Sequence, residues 1–139
     1  MKVIVFDLDG TLLDTKNEII GGEKTLSLLK DYQESAYRLA ICNGRLDHDI
    51  VAINRKYHLG ITERISQNGA VIYQGNQLNA ALLDKRDAMG IYDLLKEYNV
   101  RVEMNTVSNR YWMSPRDPDF PKEFYDSSII KEDFKDIIP

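Results

Sequence analysis

The chain is poor in cysteine, histidine and long apolar runs, and each shortage removes a class of protein. Cys42 is its single cysteine, so no intrachain disulfide can form. That fits a reducing compartment, and Cys42 itself reads as a small buried apolar residue. His48 and His58 are the only imidazoles. They fall on one predicted helix without the i, i+4 spacing of a helical metal pair, and both are expected in solvent. No apolar run approaches the roughly 18 residues of a membrane span. The apolar stretch after Lys2 is too short for a signal-peptide core. Positive charge is also short: 18 Lys and Arg against 22 Asp and Glu leave a net charge of −4. No broad basic surface for nucleic acid or an anionic membrane is expected. Together these shortages predict a cytoplasmic protein with neither nucleic acid nor membrane as a partner.

What is present is enough for a core: 139 residues, 43% of them hydrophobic. Val3-Ile4-Val5-Phe6 is apolar without alternation, which predicts a strand buried on both faces, as in a parallel sheet. Leu26, Leu29 and Tyr32 fall at helical spacing, and Arg38 to Cys42 reads as a second strand. A second amphipathic helix carries Leu46, Ile50, Ile53 and Tyr57, with Asp47 as its expected N-cap. A third strand region runs from Ile65 through "ISQNGAVIY" to Tyr73. Strand and helix thus alternate, which predicts a parallel α/β sheet with right-handed crossovers.

The pattern changes near residue 80. A third helix is expected over Asp84 to Tyr98, with Ala88, Ile91, Leu95 and Tyr98 on its stripe. Val100, Val102 and Met104 alternate with polar residues as in a half-buried antiparallel strand. Ser108-Asn109 turns it into a second strand, Arg110 to Met113. A Pro-rich loop, "SPRDPDFP", leads to a last amphipathic stretch with Ile130, Phe134 and Ile137. The expected division is a parallel half over residues 1–80 and a small α+β half over 81–139.

The chemistry sits in "FDLDGTLLD". Residues i and i+2 of a strand face the same side, so Asp7 and Asp9 share a face while Leu8 points away. A calcium loop is excluded, because its glycine at position 6 would be Leu12 and a strand leads in. Two like charges held together suit phosphoryl transfer. An ionised Asp7 can attack phosphorus. A divalent cation with a taste for hard oxygen, Mg²⁺, can bridge it to the anionic phosphate. Asp9 can serve as acid and then base, its pKa tending upward beside the Asp7 charge.

"FDLDGTLLD" resembles the first motif of the haloacid dehalogenase-like superfamily. "ICNGR" resembles the second, and "ISQNGAVIY" is similar to a segment of the subclass with a large α/β cap, the IIB type. The resemblance implies a partial Rossmann-like core over 1–80 followed by an incomplete α+β cap. It implies a Mg²⁺-dependent phosphatase acting on sugar phosphates or similar small phosphorylated metabolites. Asp7 would be the nucleophile and Asp9 the acid–base group, with metal held by the Asp7 carboxylate and the Asp9 backbone carbonyl. Gly10 and Thr11 would offer N–H groups to phosphate. Asn43 stands where the family usually has Ser or Thr, and Gly44 would let the backbone approach the phosphate. Arg45 and Asn68 would border the substrate.

The family's later Lys and Gly-Asp motifs have no counterpart after Tyr73, so the chain reads as the N-terminal part of such an enzyme, nearly inactive alone. A phosphomutase, or a non-catalytic binding remnant of the fold, is the alternative. In the family a later strand pairs beside the first one, so here the first strand is expected at an open edge, able to self-associate.

Overall fold

The computed structural model describes residues 2–98, 100–113 and 128–138. The Pro-rich loop with Phe120 lies outside them, as do Phe124 and Tyr125 after it. The chain divides into two compact units, residues 1–80 and 81–139.

The first unit runs β1 (Lys2–Phe6), α1 (Gly22–Glu34), β2 (Tyr37–Cys42), α2 (Asp47–Lys56), β3 (Glu63–Ser66), β4 (Val71–Gln74) and β5 (Gln77–Ala80). They form one mixed sheet in the order β1-β2-β3-β4-β5. The first three strands are parallel and the last two antiparallel. The expected third strand through Tyr73 is therefore a hairpin. Gln67 and Asn68 take left-handed φ of 51° and 55°, and Gly69 of 95°, and this single 3-10 turn reverses the chain. Glycine accepts such a φ without strain.

Ile41, Leu46, Ile50 and Ile53 are fully or almost fully buried between the sheet and α2, and each such side chain contributes roughly 1.5–3 kcal/mol. Leu8, Leu12, Leu13 and Ile19, all from the segment after β1, are buried as well. The polar loop that follows Asp7 is thus anchored by its own leucines.

Four expectations fail here for one reason, that local pattern does not fix neighbours. Val3 and Val5 are 54% exposed, because β1 is an edge strand and one of its faces is open. Cys42 is exposed at the end of β2 instead of buried. Asp47 is not the N-cap of α2. Leu46 holds that place, and the buried Asp47 side chain pairs with Arg64 on β3. His48 is half-buried and lies 3.7 Å from Asp49, whereas His58 is exposed.

The second unit contains α3 (Lys85–Leu95), β6 (Glu103–Asn105), β7 (Arg110–Trp112) and β8 (Ser128–Ile130). Asp84 caps α3 by accepting from the Arg86 N–H at 2.9 Å. β6 and β7 are antiparallel as the alternation predicts, and β8 adds in parallel beside β7. Tyr92, Phe134 and Ile138 form the core, with Ala88, Met89 and Tyr111 against it. Helix α3 therefore buries the 88/89/92 face. Ile91 is 49% exposed, and Tyr98 lies beyond the last turn.

Candidate active site

Parallel register builds the site. Phe6 pairs with Ile41, and Cys42 with Ile65, so β1, β2 and β3 end at one level. Asp7 and Asn43 continue directly from those ends, where open α/β sheets bind ligands. The Asn43 N–H donates to the Ile65 carbonyl at 2.9 Å, which extends the ladder by one rung and aims the amide across toward β1.

Asn43 Nδ2 then donates to Asp7 Oδ1 at 2.5 Å and to Asp9 Oδ2 at 3.2 Å. Its Oδ1 accepts from the Arg45 N–H at 2.7 Å, which fixes the amide orientation. An amide thus bridges the two carboxylates, something a Ser or Thr hydroxyl with one proton could not do for both at once. Leu8, between the two acids, is buried, so Asp7 and Asp9 do share a face.

Arg45 takes Asp9 in a fork: Nε donates to Oδ2 at 2.9 Å and Nη2 to Oδ1 at 2.5 Å. Bidentate charge-assisted bonds are the strong kind. They hold the Asp9 carboxyl below the usual carboxylate range. The Arg45 hydrogen bonds act first, against the upward push of burial, and the guanidinium charge and the Asn43 amide add to them. The expectation of a raised Asp9 pKa is overturned: a cation in contact, with the Asn43 amide, outweighs the push of burial. Arg45, expected beside the substrate, is in this structure the partner of the acid–base candidate.

Gly10 and Thr11 are also placed differently from expectation. The Gly10 N–H donates to the Leu13 carbonyl at 2.8 Å and the Thr11 N–H to the Leu8 carbonyl at 3.2 Å. These bonds fold the loop into a tight turn, with Gly10 at φ 75°, and direct both N–H groups at the loop's own carbonyls. Gly44 does meet a neighbour closely: a Cβ there would lie 2.9 Å from Asn68 Oδ1. The hairpin turn and the end of β2 are thereby brought together, and Asp7, Asp9, Asn43, Gly44, Arg45 and Asn68 form one continuous cluster.

Two residues escaped the sequence reading. Asn17 accepts from Arg45 Nη2 at 2.6 Å through its Oδ1. The signal was present in "DTKN", since Asp14 is a turn former and Asn tolerates the left-handed φ of 60° found at Asn17. Arg64, paired with Asp47, carried no local signal at all.

The donors available to a metal are hard oxygens, which suit Mg²⁺. The Asp9 backbone carbonyl accepts from no backbone N–H among the described residues, which leaves it open to a metal. No group of three His, Cys, Asp or Glu side chains is gathered among the described residues. The protein side of such a site would be the Asp7 carboxylate and the Asp9 carbonyl, with water at the other positions.

Comparison with known proteins agrees with this geometry. The model of the haloacid dehalogenase-like hydrolase family matches residues 4–138. The chain is 34% identical over 114 residues to the phosphatase YwpJ of Bacillus subtilis, covering 80% of this chain and 39% of that protein. It is 30% identical over 119 residues to the 5-amino-6-(5-phospho-D-ribitylamino)uracil phosphatase YwtE of the same organism, covering 84% and 39%. Its fold resembles that of the subclass IIB sugar phosphatase BT4131, with a TM-score of 0.66 at 20% identity, covering 81% of this chain and 44% of the other. The chain spans about two-fifths of the length of these curated relatives. With its mixed α/β fold and a match over nearly its whole length, the chain belongs to the haloacid dehalogenase-like hydrolase family.

Proposed function

We propose that the chain carries the nucleophile and the acid–base group of a Mg²⁺-dependent phosphatase, acting on a small phosphorylated metabolite such as a sugar phosphate. The observation that carries the reading is the pair Asp7 and Asp9 on one face at the end of β1, bridged by the Asn43 amide. The phosphatase names of its relatives support it.

An Asp7 carboxylate oxygen forms a bond to phosphorus while the bond from phosphorus to the leaving oxygen breaks. Asp9 gives that oxygen a proton. Water then attacks the aspartyl-phosphate, Asp9 takes a proton from it, and inorganic phosphate leaves with Asp7 restored. The ionised, Arg45-bound Asp9 is in the state that accepts the water proton. To donate, it first has to part from one Arg45 N–H, because a protonated carboxyl oxygen is itself a donor. Mg²⁺, when bound, offsets the repulsion between Asp7 and phosphate, about 4 kcal/mol for unit charges 4 Å apart at an effective dielectric of 20.

With so few protein ligands for the ion, the 139-residue chain is expected to turn over orders of magnitude below ordinary enzyme rates, since each tenfold is roughly 1.4 kcal/mol of barrier. The test is phosphate release with Mg²⁺ from a panel of phosphomonoesters, for the native chain and Asp7→Asn. Slow release that disappears in the variant is expected. Undiminished release in Asp7→Asn removes Asp7 from the mechanism, and ordinary enzyme rates contradict the incomplete site.

The absence of a three-acid cluster among the described residues favours a second reading, a binding module. Phosphate binding at the Asn43 amide without any Asp7-dependent release would select it. A phosphomutase keeps the same nucleophile and is separated by product analysis.

A further inference from the structure

Asn17 supplies no chemistry to the reaction, yet it stands between the loop after β1 and the acid–base residue. Asp14 Oδ1 accepts from the N–H groups of Lys16 at 2.8 Å and Glu18 at 2.9 Å. The Asn17 N–H donates to the Asp14 carbonyl at 3.0 Å. On the other side, the Tyr57 hydroxyl, just past α2, donates to the Asn17 carbonyl at 2.7 Å and lies 2.9 Å from Glu18 Oε2. The Asn17 backbone is therefore clamped from two directions, in a left-handed conformation that Asn tolerates.

This leaves the Asn17 side chain aimed at Arg45. Its Oδ1 accepts from Nη2, the same nitrogen that donates to Asp9 Oδ1. Among the described residues, Asn17 and Asp9 are the only acceptors the guanidinium has, and Nη1 is buried without one. Take Asn17 away, and Arg45 is steered by Asp9 alone. The pair then keeps one outside tie, the 3.2 Å bond from the Asn43 amide to Asp9 Oδ2, and can swing about it.

We propose that Asn17 is a positioning residue: through Arg45 it sets the rotation of the Asp9 carboxylate, so that the loop after β1 and the acid–base group are held as one unit. The role ascribed to Asp9 rests on the phosphatase reading; the mechanical link from Asn17 to Asp9 does not.

The link is read by nitrogen-15 NMR on the 139-residue chain, following the Arg45 Nε–H signal and the rate of guanidinium rotation. Asn17→Gly keeps the left-handed backbone and removes the amide. Rotation is expected to speed up by about tenfold, the value of one hydrogen bond to a charged group. Asn17→Asp keeps an acceptor oxygen, now charged, and should hold the guanidinium at least as tightly as in the native chain. Tyr57→Phe frees the Asn17 carbonyl without touching the side chains of the fork, and a smaller speeding is expected. Backbone amide shifts of residues 46–56 report whether each variant is folded.

Rotation unchanged in both Asn17→Gly and Tyr57→Phe overturns the proposal. So does equal loosening in Asn17→Gly and Asn17→Asp, which would mean that only the backbone matters. Should Asn17→Gly unfold, Asn17→Asp and Tyr57→Phe still decide. No readout uses turnover, so an inactive chain with a tethered Arg45 fails the phosphatase reading alone, and an active chain with an untethered one fails this proposal alone.

Discussion

Two Arg–Asp forks lie in the first unit and have nearly the same geometry, but their settings differ. Arg64 holds Asp47 at 2.7 and 3.0 Å, and Arg45 holds Asp9 at 2.9 and 2.5 Å. Both side chains of the first pair are nearly buried, at 13% and 11% exposure, whereas the Asp9 side chain is 50% exposed. The Arg64 guanidinium is fully employed. Nη1 donates to the Thr62 carbonyl, Ser66 joins at Asp47, and the Tyr73 ring lies 4.0 Å beneath it. Arg45 keeps a nitrogen without a partner among the described residues. A saturated, buried fork ties α2 to β3 and has no reason to move. A fork with a half-exposed acid and an unused donor can exchange partners. Equal distances therefore do not mean equal roles, and burial decides which fork is structural.

The largest effect should come from breaking the buried fork. Asp47→Ala strands the Arg64 charge, and removing one partner of a buried pair typically costs about 3 kcal/mol. Urea unfolding followed by circular dichroism should show that loss, and a change below about 1 kcal/mol would erase the distinction between the forks.

The comparison is cleanest in a monomer, and the open β1 edge works against one. Val3 and Val5 present an exposed apolar row, and such an edge is a template for pairing. Native chain is expected to self-associate in light scattering at high concentration. Val5→Lys should shift it to monomer without altering either fork, and a native chain that is monodisperse and monomeric would contradict the expectation.

A smaller effect is expected from Arg45→Met. Because Asp9 is half exposed, solvent screens the pair, and the stability change should stay under about 1 kcal/mol. A loss as large as that of Asp47→Ala would make the Asp9 fork structural.

The smallest effect concerns pH. Asp14 is held below the ordinary carboxylate range by the backbone N–H groups of Glu18 and Lys16. A depressed folded pKa contributes stability above the unfolded value, about 3.9, that is lost as pH falls through the folded one. The Lys16 and Glu18 amide shifts should therefore hold steady down to pH 4 or so and move only in more acid solution. A midpoint at or above the ordinary value would contradict the turn that orients Asn17.

Much of this was legible from residues close in sequence. Strand alternation put Asp7 and Asp9 on one face, and Leu8 is indeed buried between them. Ser108-Asn109 marked the β6–β7 turn, where the Thr106 and Asn109 backbones bond at 2.9 Å. The run to Tyr73 was misread because three consecutive left-handed residues leave little trace in an otherwise strand-like composition. The α3 stripe slipped by one position because Tyr92, whose ring lies 5.5 Å from Phe134, faces the core in place of Ile91.

The sequence by itself determined the three helices, the first two strands, the shared face of the two acids and the family, for these depend on periodicities of two and 3.6 residues and on a contiguous motif. Only the tertiary structure decided which groups hold the acids. Arg45 reaches Asp9 across 36 positions and Asn17 across 28. Those meetings depend on the parallel register of β1 and β2 and on where the leucine-anchored loop comes to rest. A carboxylate's pKa follows whatever charge the fold brings against it, so its direction at Asp9 could not be read from neighbours in the chain.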